Sequence, residues 1–139
     1  MDIFEFGKSD DLVDLEKGLL EMEKVMDQIV LAYGLTILRI EEEGLWKQSK
    51  APNLWTYQIN HLQELGIPKQ TISNRRRIAR GYMANKDLLE GVDLRDRLSK
   101  LIHLSKAIEK YGKEDAMKHF LSDSWREWTA YVGSVESEV

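Results

Sequence analysis

From Asp10 to about Tyr33, the apolar residues Leu12, Leu15, Leu19, Met22, Met26, Ile29 and Tyr33 recur at alternating spacings of three and four. That spacing brings a side chain back to the same side of a helix at every turn, so it predicts an amphipathic helix of about three heptads. Gly18 lies inside it and costs the helix about 1 kcal/mol relative to alanine. Leu20, Val25, Val30 and Leu31 flank the seam and widen it beyond what a bare two-stranded coil needs. The seam has two uses. It packs on the rest of its own domain, or Leu12, Leu15, Leu19, Met22, Met26 and Ile29 pair with a second copy as a dimerisation face; the two are compatible. Gly34 offers an end to the helix, but Leu38, Leu45 and Trp46 keep helical spacing beyond it, as a continuation or a second helix.

Residues 47–53 read as a loop in which Ser49, Pro52 and Asn53 supply start signals for the next helix. Leu54, Trp55, Ile59, Leu62 and Leu65 predict a helix of about three turns, stopped by Gly66. Proline is tolerated in the first turn of a helix, where an amide donor has no partner, so Pro68 opens another helix that runs to about Met83. After a connector over residues 85–93, Leu94, Leu98, Leu101, Ile102, Ile108 and Tyr111 predict a helix ended by Gly112. Two short helices complete the chain, over about 113–121 and 123–132. The second has Trp125, Trp128, Tyr131 and Val132 on its apolar face and Ser122 or Asp123 as its cap. Strand-like alternation is scarce, so the expected fold is all-α, a compact multi-helix domain. Its parts are an acidic amphipathic region (1–50), a central helix pair (51–84), a helical support region (85–133) and a frayed tail (134–139).

Charge changes this picture at one place. The formal net charge of −4 conceals twelve acids and four bases in residues 1–46, against seven bases and one acid in residues 47–84. A local field of that kind outweighs the overall balance when a ligand touches one patch. Glu41, Glu42 and Glu43 read as a solvated helix face, and the four tryptophans as packing residues. The absence of cysteine excludes disulfides and thiolate metal sites and fits a reducing compartment. The chain opens on acidic Asp2 and Glu5, and no run is apolar enough to span a bilayer, so the expected location is cytoplasmic, without a membrane partner. A Gly-rich phosphate loop, a nucleophile elbow, a His-Glu-x-x-His pair and an EF-hand loop are all missing, and His61, His103 and His119 are far apart in sequence. No enzyme activity, metal, cofactor or small-molecule ligand is therefore expected.

The basic segment carries the functional reading. A helix-turn-helix needs two short helices, a tight turn in which glycine takes a positive φ, and apolar residues on both sides to fix the angle. Leu62 and Leu65 precede Gly66, and Ile67 and Ile72 come after it. At about 100° per residue, Lys69, Ser73, Arg76, Arg77 and Arg80 fall within one arc of roughly 100°, with Gln70 beside it. Ile72, Ile78, Ala79, Tyr82 and Met83 lie on the other side, and no acid occurs between Lys69 and Arg80. Arginine and lysine neutralise phosphates, while Gln, Ser, Asn and Arg read base edges, so this face suits a major groove. The plainer alternative is a basic face bridged to the acidic N-terminal helix. Arg75 breaks the pattern: it falls on the apolar side and must either snorkel outward or pair with a carboxylate such as Glu64.

The run Leu65-Gly66-Ile67-Pro68-Lys69-Gln70-Thr71-Ile72-Ser73-Asn74, then Arg77-Ile78-Ala79-Arg80 and, farther on, Leu98-Ser99-Lys100-Leu101, resembles small phage- and plasmid-encoded helix-turn-helix proteins. It is also similar, more weakly, to the DNA-binding part of ParB-type partition proteins. The resemblance implies that Lys69, Gln70, Ser73, Asn74 and Arg77 face the groove and that Leu98 and Leu101 support it. The chain departs from those families at Pro68, where serine or threonine often begins the recognition helix, and at Arg75, and it has no ParB nucleotide-binding motif. The expected function is binding of double-stranded DNA by a homodimer, in transcriptional control or another phage or plasmid DNA transaction. Lys69, Arg76, Arg77 and Arg80 would contact phosphates, and Gln70, Ser73 and Asn74 would choose bases. A helical protein-protein adaptor and a phage packaging or assembly subunit are the alternatives.

Overall fold

The computed structural model describes residues 10–136, and of residues 20, 22–24 and 134–136 only the backbone. The readings for Asp2, Glu5, the Met22 side chain and the last three residues of the tail lie outside the described residues. Among those described there are eight α-helices and no strand.

Helix α1 (Leu12–Glu42) is one continuous 31-residue element. Asp11 caps it, its carboxylate accepting the Val13 amide hydrogen at 3.1 Å. Gly34 does not end it. A Cβ at Gly34 would sit 2.2 Å from the backbone oxygen of Arg75, so the glycine is what lets α4 (Lys69–Ala84) cross α1 at this point. A second close crossing lies elsewhere on α4, where a Cβ at Gly81 would meet the Leu101 carbonyl oxygen at 1.9 Å. Helix α4 is thus held between α1 and α6 (Leu101–Tyr111) by two positions without side chains.

Helix α4 closes two apolar clusters. Toward the C-terminal helices, Ile78 joins Leu89, Leu98, Leu101, Leu104, Phe120, Trp128 and Val132, with Val30 and Leu31 of α1 packed against them. Toward the N-terminal half of the chain, Ile72 joins Ile37, Tyr57 and Leu62, flanked by Tyr33, Ile40, Trp46 and Ile67. Among the described residues, those of α1 that join these clusters lie in its second half. Leu12, Leu19, Met26 and Ile29 each expose more than half of their surface, and Leu15 is half-buried. Among the described residues, packing on the chain's own core therefore leaves Leu12, Leu19, Met26 and Ile29 of the seam uncovered.

Helix α2 (Leu54–Thr56), a π-turn (Tyr57–His61) and α3 (Leu62–Glu64) form the segment before α4. Asn53 caps it, accepting from the Thr56 amide at 2.7 Å. After α4 come α5 (Lys86–Leu89), α6, α7 (Lys113–Ser122) and α8 (Trp125–Glu136). Three expectations need correction here. The helix predicted from Leu94 begins only at a 3-10 turn, Leu98–Lys100, because the Asp93 carboxylate accepts the Arg95 amide and side chain and Asp96 takes φ 62°, which together turn the chain first. The last helix is capped by Ser124, not Ser122 or Asp123: Ser124 Oγ accepts from the Glu127 amide and the Glu127 carboxylate accepts from the Ser124 amide, two bonds that satisfy both otherwise unpaired donors. And of the four tryptophans, Trp128 is fully buried and Trp46 half-buried, whereas Trp55 and Trp125 face solvent.

Candidate nucleic-acid interface

The turn between α3 and α4 spans residues 65–68. Gly66 has φ +88°, a conformation closed to most side chains, and nothing lies within 4 Å of where its Cβ would be. The need for glycine there is conformational. Two hydrogen bonds seal the end of the preceding helix, Gly66 N–H to Gln63 O at 2.9 Å and Ile67 N–H to Leu62 O at 3.0 Å. Ile67 and Leu62, joined by that second bond, belong to the same apolar cluster. Pro68, with φ −64° and ψ 142°, is the N-cap of α4 and not its first helical residue, and no side chain caps the amides of the first turn. A helix end of this kind carries free N–H donors and a partial positive charge.

The fold divides the α4 positions expected as DNA contacts. Lys69, Gln70, Ser73, Arg77 and Arg80 are exposed. They lie within an arc of about 100° that neither the α1 nor the α6 crossing covers. Arg77 and Arg80 have no ion-pair partner among the described residues. The Lys69 ammonium sits 4.9 Å from the ring centre of exposed Trp55, a contact between the two halves of the helix pair that orients the lysine. Asn74 is half-buried, and its side-chain oxygen accepts from Arg75 at 3.0 Å.

Arg76 is the correction. Its Nε lies 2.9 Å from both Glu41 carboxylate oxygens and its Nη2 2.7 Å from one of them, while the Gln58 amide donates to the same carboxylate at 2.9 Å. The side chains are 18% and 8% exposed, so this is a forked, largely desolvated pair and not a surface contact. It takes Arg76 out of any phosphate-binding set. It also corrects the reading of Glu41 to Glu43 as a solvated run: Glu42 and Glu43 are exposed, Glu41 is not. Of the two outcomes expected for Arg75, outward snorkelling or a carboxylate partner, the second is not seen among the described residues: Arg75 is half-buried and donates to Asn74, and Glu64 is exposed. The alternative reading of the basic face thus holds for one arginine and leaves the other cations outward.

Electrostatics around the face are uneven. A groove beside Arg80 is lined by Arg39, Glu42, Glu43 and Met83, with Arg39 and Glu43 paired at 2.6 Å. The C-terminal end of the basic arc therefore meets carboxylates, whereas Lys69 at its N-terminal end lies over the Trp55 ring. Leu98 and Leu101, expected as support, are 7% and 0% exposed in the larger cluster, below the Gly81 crossing.

No helix of the described residues is long and apolar enough to cross a membrane. No family model, curated protein or solved structure matches the chain.

Proposed function

We propose that the protein binds double-stranded DNA through a helix-turn-helix formed by residues 54–84, with α4 in the major groove. One observation carries this reading: directly after a glycine turn locked by two backbone bonds, α4 presents Lys69, Gln70, Ser73, Arg77 and Arg80 on one outward face, with no acid among them. Lys69, Arg77 and Arg80 neutralise phosphates and supply affinity; Gln70 and Ser73, at the end of the helix farthest from Glu42 and Glu43, reach base edges. Asn74 acts by positioning, and Arg76 braces the edge of the face against Glu41 of α1. The exposed seam of α1 pairs two copies, so the DNA site is palindromic, with half-sites about one helical turn apart. Transcriptional control or another DNA transaction is the use that fits a protein of this kind.

Binding to random and selected duplexes across a salt series tests the proposal. Replacing Arg77 and Arg80 together by alanine removes two phosphate contacts and flattens the slope of log affinity against log salt by about 1.8. A slope that does not move with these substitutions, or a wild-type protein with no salt-dependent affinity for duplex DNA, overturns it.

A further inference from the structure

The space between α1, the π-turn and α4 is not filled by side chains. A cavity of about 250 Å³ lies among Ile37, Ile40, Tyr57, Leu62, Ile67 and Ile72. Thr36, the one exposed residue of its lining, marks the mouth, and Glu41 stands at its polar side. Protein interiors hold few voids larger than a water molecule, and an apolar cavity of roughly 150 Å³ accepts benzene. On that scale this space holds about ten heavy atoms.

Tyr57 gives the cavity its chemistry. The residue is 8% exposed, its ring stacks on His61 at 5.3 Å, and its hydroxyl has no hydrogen-bond partner among the described residues. Both oxygens of Glu41 accept from Arg76, one of them also from Gln58, and neither accepts from Tyr57; with Arg76 in place the carboxylate needs no cation from a ligand. An isolated ion of either sign would be costly in so apolar a space. Tyr57 lines the cavity and its hydroxyl donates to no described residue, so an occupant carrying an acceptor can take its hydrogen.

We propose that this cavity is a binding site for a neutral, mainly apolar molecule of about ten heavy atoms whose oxygen acceptor takes the Tyr57 hydroxyl hydrogen. Its walls include the Arg76 partner Glu41 and the Ile67 turn residue, so an occupant touches the elements that set the position of α4.

Acetophenone, with a carbonyl, and ethylbenzene, without one, are the probes, titrated into the full chain carrying ¹³C-labelled isoleucine methyls. Ile37, Ile40, Ile67 and Ile72 line the cavity, whereas Ile78, Ile102 and Ile108 belong to the other cluster and serve as internal controls. Saturable shifts confined to the first four, with the acetophenone-to-ethylbenzene affinity ratio falling about fivefold in Tyr57→Phe, the worth of one neutral hydrogen bond, support the site. Shifts that never saturate, shifts of equal size at the three control methyls, or a ratio unchanged in Tyr57→Phe overturn it. No DNA is present in these titrations, so their failure and the failure of the DNA-binding reading are separate results.

Discussion

Arg76 and Arg77 are neighbours in sequence with opposite fates. One step of about 100° along the helix separates an arginine sealed against Glu41 from one open to solvent. Replacing Arg76 by alanine leaves a buried carboxylate with only Gln58, and the expected cost is about 3 kcal/mol of folding stability. Arg77→Ala costs less than about 0.5 kcal/mol, as for other exposed positions, but weakens DNA binding. Urea melts and duplex titrations of the two variants check both halves, and equal melting midpoints would refute the buried role of Arg76. Glycine at 81 makes a second residue-scale case. Alanine there drives its methyl into the Leu101 carbonyl, so Gly81→Ala should lose about 2 kcal/mol, through displaced helices and not through backbone entropy. Alanine raises helix propensity, so a stabilised variant in thermal denaturation would show that the crossing is loose. Sequence allowed a bridge from the basic face to the acidic N-terminal helix but not which arginine makes it, since the partner of Arg76 is 35 residues away, and only a tertiary contact distinguishes Gly34 and Gly81 from ordinary helix stops.

Helices made of local signals were legible, and their ends less so. The Asn53 cap, the Gly66 stop and the start of α4 at residues 68–69 arise from side chains acting within four positions of themselves. The helix expected from Leu94 failed because Asp93 and Asp96 offer the backbone an alternative turn that apolar spacing does not register. At this scale the seam of α1 yields a prediction. With Leu12, Leu19, Met26 and Ile29 exposed, the wild-type chain should sediment as a dimer at micromolar concentration, and Leu19→Lys combined with Met26→Lys should make it a monomer of unchanged helicity. A wild-type monomer in sedimentation equilibrium would remove the dimer from the DNA-binding proposal.

Across the whole molecule, titration links the two clusters to stability. Burial raises the Tyr131 hydroxyl above its ordinary value of 10.0, and its bond to Asp115 at 2.7 Å adds to this; burial and then the Glu41 charge raise Tyr57 in the same direction. An acid whose pKa is raised by folding holds its proton more tightly in the native state. The stability this gives is complete below pH 10.0 and is lost as the pH climbs beyond it. Urea midpoints should therefore fall above about pH 10, and Tyr131→Phe should flatten that fall; a variant with an equally steep alkaline limb would argue against the Asp115 contact. Sequence alone determined what repeats within one or two turns of helix: an all-helical chain, a basic face after a glycine turn, and an apolar seam at heptad spacing, because these depend on periodicity and on side chains reaching their own backbone. Tertiary structure decided which arginine is buried, where two glycines let helices touch, that half the seam stays uncovered and that a cavity opens behind the turn. Those outcomes depend on which surfaces distant segments bring together, and no local pattern encodes that.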